Sequence, residues 1–287
     1  MKKVYETATV HGMCGGVFAA LQQVEKLLQQ HRGEAVYILH ELVHNRQVSA
    51  ALASGGAVFI DDVSALPPGA VGVIGAHGVA KAVESALHCR SERIIDTTCP
   101  LVKKLHRFAA QVPPEAALII LGKAEHPEVQ GIAGNAGTDK VFIISAPEKV
   151  SELPELPQEL YYLSQTTVDF QLASRCEAEL RCRFPAIRCC PGVCGASQQR
   201  QQAVREIASR CDAVLIVGSS HSSNACRLRE IAAEYSPEAV LIESAEDIAP
   251  ELLARHCRIG VSAGASTPAE AMAAVIGKLE AAGFTAG

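Results

Sequence analysis

The residues in this sequence best placed to do chemistry are cysteines that stand where an apolar run gives way to a helical pattern. In "IIDTTCPLVKKL", residues 94–105, two isoleucines lead through Asp96, Thr97 and Thr98 to Cys99 and Pro100. A thiol there sits at a helix N-terminus, where backbone N–H groups favour the thiolate. Cys14 and Cys194 repeat the arrangement. "VYETATVHGMC" and "AIRCCPGVC" lead in, and "CGGVFAALQQVEKLLQQH" and "CGASQQRQQAVREIAS" follow.

These three cysteines stand 85 and 95 residues apart. A lone nucleophile needs no copies, and a disulfide uses two sulfurs. Three converging thiolates with no fourth at matching spacing suit a cubane iron–sulfur cluster with one iron left free of cysteine. Zinc with three cysteines and an open position is the competitor, and three cysteines kept only for packing are the plain alternative. Three helix N-termini aimed at one point would offset the negative charge of such a centre. Cys89, Cys176, Cys182, Cys211, Cys226 and Cys257 lack partners at ligand spacing and read as packing or surface thiols. Cys189 and Cys190 have no counterparts in the other repeats and read as strand residues.

The elements that position the cysteines form a threefold repeat. A first set of apolar runs is "AVYILHELVHN", "ALIILGKAEHPE" and "AVLIVGSSHSSN". A second is "AVFIDDVSAL", "KVFIISAPEKVSEL" and "EAVLIESAEDIAPEL", and a third "AVGVIGAHGVA", "LYYLSQTTVDF" and "RIGVSAGASTP". Their Val- and Ile-rich cores predict strands buried on both faces. The breaks into Gly, His, Ser, Thr and Asn would fall at strand C-terminal ends, where open α/β sheets bind ligands. The helices predict apolar faces of Val17, Leu21, Val24 and Leu28; of Leu101, Leu105 and Phe108; and of Ala203, Val204 and Ile207. The expectation is an α/β fold of three pseudo-threefold-related lobes around a central iron–sulfur cluster. The lobes are 14–98, 99–193, and 194–287 with 1–13 supplying the last strand of the third.

Length allows one large or two to three small domains. The net charge of −5 with scattered Lys and Arg offers no basic stripe for nucleic acid or a membrane surface. No signal-peptide-like apolar segment opens the chain, and the apolar runs are strand-length, so a soluble cytoplasmic protein is expected.

The motifs resemble those of the LytB family, the 4-hydroxy-3-methylbut-2-enyl diphosphate reductases, from about residue 10 to about 280. The resemblance is carried, in order, by "GMCGGV", "HELVHNRQV", "AHGVA", "DTTCPLV", "HPEV", "SQTT", "VCGASQQRQ", "GSSHSSNACRL" and "AGASTP". It implies a three-lobed α/β ring and a [4Fe–4S] cluster on Cys14, Cys99 and Cys194. It also implies a diphosphate pocket lined by His44, His77, His126, Ser222, Ser223, Asn224 and Ser266. Glu128 is the implied proton source, Thr166 the residue orienting the substrate hydroxyl, and His126 a possible second proton carrier. The implied reaction is reductive dehydroxylation to isopentenyl and dimethylallyl diphosphate, with electrons from a small ferredoxin or flavodoxin. No flavin or nicotinamide fingerprint is present, and neither is a P-loop or a basic cluster for phosphate. Departures from the family pattern are Met13, Gly16, Gln130 and the run after Cys194.

Without the family, each site residue has a local alternative. The three histidines end apolar runs and could be ordinary core or surface residues. "SSN" could be a helix cap, and Glu128 after Pro127 suits any helix start. A hydro-lyase using the same centre without net electron transfer, and a non-catalytic metal-binding or redox-sensing protein, are the rival functions.

Overall fold

The computed structural model describes residues 2–287. Along the chain the strands are β1 (Val4–Thr7), β2 (Val36–Leu39), β3 (Ala57–Ile60), β4 (Ala70–Ile74), β5 (Ser91–Asp96), β6 (Ala117–Leu121), β7 (Val141–Ile144), β8 (Leu160–Ser164), β9 (Arg188–Cys190), β10 (Ala213–Val217), β11 (Glu238–Ile242), β12 (Arg258–Ala263) and β13 (Thr285–Ala286). The helices are α1 (Gly15–Gln30), α2 (Arg46–Ser54), α3 (Lys81–Arg90), α4 (Pro100–Ala110), α5 (Pro127–Ala133), α6 (Phe170–Arg183), α7 (Gly195–Ala208), α8 (Ser223–Tyr235), α9 (Pro250–Arg255) and α10 (Ala269–Ala281).

Among the described residues the strands form three parallel sheets, ordered β3-β2-β4-β5, β7-β6-β8-β9 and β11-β10-β12-β1-β13. The same order recurs in each: second-set run, first-set run, third-set run, then the strand that leads to a cysteine. Strand β1 supplies that last place in the third sheet, pairing Val4 with Arg258 and Thr7 with Val261. β13 extends that sheet by one strand.

The chain divides into two compact units. One comprises Met1–Phe18, His44–Ser49 and Gly195–Gly287, and holds the five-stranded sheet. Its side chains alternate across the sheet, as strand geometry requires. Leu215 and Val217 pack with Val261, Val275 and Phe284, whereas Val214 and Ile216 pack with Val204, Ile207 and Leu228. The other unit comprises Ala19–Val43 and Ala50–Cys194, and holds the two four-stranded sheets. Here Ile119 and Leu121 face Tyr162 and Leu180, while Leu118 and Ile120 face Leu105, Val129 and Ile132.

Two expectations change. The second-set strands are sheet edges, and β7 and β11 are only half-buried, because a crossover helix cannot cover the last strand as it covers the middle. The apolar face of α1 is Ala20, Val24, Leu27 and Leu28, with Val17 and Leu21 half-buried. That of α4 is Val102, Leu105 and Ala109, with Leu101 and Phe108 on its flanks.

Candidate active site

Each of the three cysteines is the residue immediately before a helix: α1, α4 and α7 begin at Gly15, Pro100 and Gly195. Each backbone N–H is tied to a carbonyl two residues past the end of a third-set strand. Cys14 N–H donates to the Ala265 carbonyl at 2.9 Å, Cys99 to Ala76 at 3.0 Å and Cys194 to Thr166 at 3.0 Å. The bond fixes the turn, and the following residue then opens the helix. At Cys99 the backbone is extended (φ −53°, ψ 134°) and Pro100 takes the first helical position, where its missing N–H costs nothing. The Cys14 Sγ accepts from Val17 N–H at 3.4 Å, a cap-like bond in the first turn of α1. The turn before Cys14 is held by Arg200, 4% exposed, whose Nε and Nη2 donate to the Gly12 carbonyl at 3.0 and 2.6 Å.

All three cysteines are half-exposed. Burial pushes the thiols of Cys176, Cys189 and Cys211 up to about 11 and raises that of Cys190. Cys189 and Cys190 lie in β9, in agreement with the strand reading.

In the two-sheet unit, Glu128 lies in the first turn of α5 and is 2% exposed. Both carboxylate oxygens are engaged by one residue. Thr166 N–H donates to Oε1 at 2.6 Å and the Thr166 hydroxyl donates to Oε2 at 2.7 Å. Burial raises the Glu128 pKa, and the two Thr166 bonds oppose that rise without cancelling it. His126 caps the same helix: its Nδ1 accepts from Glu128 N–H at 3.1 Å. Nδ1 is therefore bare, and in the neutral ring Nε2 carries the proton. The His77 ring meets the His126 ring edge-on, with centroids 5.3 Å apart at 87°. The fold thus assembles His77, His126, Glu128, Thr166 and the Cys194 backbone from segments far apart in sequence.

In the other unit, Ser222 caps α8, its hydroxyl accepting from Ala225 N–H at 3.3 Å, so the cap reading holds for that residue. Ser223 follows at the first helical position. Asn224, 4% exposed, uses Oδ1 to accept from Ala265 N–H at 2.8 Å, while its buried Nδ2 has no partner among the described residues. An unpaired buried amide donor is costly. The Ser266 hydroxyl donates to the His44 carbonyl at 3.2 Å, and Asn45 beside it caps α2 through Val48 N–H at 3.1 Å. The residue holding Cys14 in place, Ala265, is thus the one that orients Asn224.

Sequence reasoning passed over several supports. Gln165, 2% exposed, accepts from Lys123 N–H at 3.2 Å and donates to the Thr167 hydroxyl at 3.2 Å. Thr167 occupies the repeat position of His77 and Ser266, one residue past the carbonyl that holds each cysteine, a signal the aligned third-set runs already contained. Arg200 and Asn135 carried no such signal, since their partners are set by packing.

Repeated parallel sheets, each containing a strand–turn–cysteine–helix unit beside polar loops, define an α/β protein whose candidate site residues lie at the strand C-terminal ends. The LytB protein family model matches residues 6–280. The chain belongs to the LytB protein family. It is 39% identical over 265 residues to the 4-hydroxy-3-methylbut-2-enyl diphosphate reductase of Magnetococcus marinus, covering 91% of this chain and 86% of that protein. It is 37% identical over 280 residues to the reductase of that name from Ralstonia nicotianae, covering 96% and 86%. The solved E-1-hydroxy-2-methyl-but-2-enyl-4-diphosphate reductase of Plasmodium falciparum superposes with a TM-score of 0.90 at 30% identity, over 96% of this chain and 88% of that one.

Proposed function

We propose that this chain catalyses the reductive dehydroxylation of (E)-4-hydroxy-3-methylbut-2-enyl diphosphate to isopentenyl and dimethylallyl diphosphate, the last being alternative positions of the double bond. The net reaction takes up two electrons and two protons and releases water. The observation that carries the reading is the buried Glu128 carboxyl, held by Thr166 and shifted toward its protonated form, in a chain of this family. A carboxyl with a raised pKa can deliver a proton to a departing hydroxyl near neutral pH.

Cys14, Cys99 and Cys194 are proposed as the ligands of a [4Fe–4S] cluster. Half-exposed thiols at helix starts, with their own N–H groups already satisfied, fit the thiolate donor set that such clusters require. When bound, the cluster supplies the two electrons and Lewis-acid polarisation of the C–O bond. The protein's own groups do the rest. Thr166 holds the Glu128 carboxyl in one orientation, and its hydroxyl would share a proton with the substrate hydroxyl. His44, His77 and His126 would grip the diphosphate with ring N–H groups, and His126 Nε2 can carry a proton to it. Ser222, Ser223, Asn224 and Ser266 add hydroxyl and amide donors, with the unpartnered Asn224 Nδ2 the clearest of them. A small ferredoxin or flavodoxin in the cytoplasm would be the electron donor. No helix among the described residues is long and apolar enough to cross a membrane.

Anaerobically purified protein should contain iron and acid-labile sulfide in equal amounts and convert the substrate when given a low-potential reductant. Turnover that proceeds without any reductant would replace this reading with a hydro-lyase. One zinc, no sulfide and no turnover would replace it with a metal-binding protein.

A further inference from the structure

The side of α5 that faces residues 78–81 is bare. A Cβ on Gly134 would stand 2.3 Å from that of Ala80, and one on Gly131 would stand 3.2 Å from His106 Nε2. Gly78 has φ +68°, and a Cβ there would meet His106 Cε1 at 2.7 Å. The His106 ring, reaching from α4, is therefore wedged between the turn that follows His77 and the helix that His126 caps. Asn135 spans the same junction. Its Nδ2 donates to the Val79 carbonyl at 2.8 Å and the Gly131 carbonyl at 2.7 Å, and stands 3.3 Å from His106 Nδ1.

The chemistry fixes the protons. Both carbonyls can only accept, so the amide nitrogen faces them and its two hydrogens serve them; the nitrogen itself does not accept, so Nδ1 at 3.3 Å can only share one of those hydrogens. Nδ1 must then be bare, and in the neutral ring Nε2 carries the proton. Nε2 is buried without a partner among the described residues, and burial holds the His106 pKa below its ordinary value, opposed in part by Asp96. An apolar side chain would fill this space without an unpaired donor. What the histidine adds is the Nδ1 contact to Asn135.

We propose that His106 and Asn135 are positioning residues that clamp the His77 turn to α5 and so set the edge-on spacing of His77 and His126. This rests on the reading that those two rings grip the substrate diphosphate. Glu128 lies on α5 as well, but both oxygens of its carboxyl are tied to Thr166, so a loosened clamp should act on binding more than on chemistry.

The test compares His106→Leu and Asn135→Ala with His106→Asn, which keeps an acceptor near the Nδ1 position. Hydrogen exchange of segments 75–82 and 127–136, affinity for inorganic diphosphate and steady-state kinetics are measured on the cluster-loaded protein. His106→Leu and Asn135→Ala should speed exchange in both segments, weaken diphosphate binding and raise KM about tenfold, with kcat within about threefold of wild type. His106→Asn should recover most of each effect. Unchanged exchange, or a His106→Asn protein as impaired as His106→Leu, overturns the clamp; should His106→Leu fail to fold, Asn135→Ala alone decides it. Faster exchange with wild-type diphosphate affinity overturns its positioning role. Wild-type protein that binds no diphosphate overturns the reading of the site itself and the positioning role with it, while the exchange data still decide the clamp.

Discussion

Glu128 and Thr166, 38 positions apart, are joined by two hydrogen bonds that use both oxygens of one carboxyl and both donors of one threonine. The Thr166 carbonyl accepts from Cys194 N–H. The proposed proton donor and the third proposed cluster ligand are thus anchored to the same peptide segment. Movement of the loop after β8 would displace both.

Replacing Glu128 by Gln keeps the shape and removes the acid. Its turnover should fall by about 10²- to 10⁴-fold, the usual contribution of a positioned acid or base. Substrate titration should still show binding. Wild-type kcat in this variant would remove Glu128 from the role.

Thr166→Val leaves Glu128 Oε2 without its hydroxyl partner in a buried site. Denaturant unfolding should show a loss of about 1–3 kcal/mol, together with a fall in kcat. If stability and kcat both match wild type, the pair contributes neither anchoring nor proton transfer.

Glu128 also gives a pH signature. Its folded-state pKa lies above the ordinary 4.5 because it is buried. Between the unfolded and folded values the folded chain binds more protons, so this group's stabilisation falls as pH rises above 4.5 and levels off past the folded value. Urea midpoints across that range should decline more steeply in wild type than in Glu128→Gln. Parallel profiles would show that burial does not shift this carboxyl.

His126 has two separable roles. His126→Ala loses the cap on α5 and should cost about 0.5–2 kcal/mol, whereas His126→Asn keeps a capping oxygen and should stay near wild type. Both lose Nε2, and both should bind diphosphate more weakly in calorimetry. Full affinity in the Asn variant would place the diphosphate elsewhere.

Serine at position 14, 99 or 194 should abolish the visible chromophore and the sulfide content, while alanine at 189 should leave them in place. With burial holding the thiols of Cys176, Cys189 and Cys211 near 11, these three should alkylate slowly at pH 8. Loss of sulfide on changing Cys189 would make that residue a ligand.

The sequence determined the strands, their threefold grouping and the placing of a cysteine at the start of α1, α4 and α7, because these follow from local apolar patterning and helix-start chemistry. It also carried the histidines and "SSN" as breaks at strand ends. The common strand order was decided by pairing in the folded sheets. Only the tertiary structure decided which carbonyl holds each cysteine, that Glu128 pairs with Thr166, and that Asn224 spends its oxygen on Ala265 and keeps its nitrogen unpaired. The same is true of His106, an ordinary residue of an amphipathic helix until Gly78 and Gly131 close around it. The reason is physical: helix starts and strand periods are set by neighbours in the chain, whereas a polar atom's partner depends on which backbones packing brings within 3 Å.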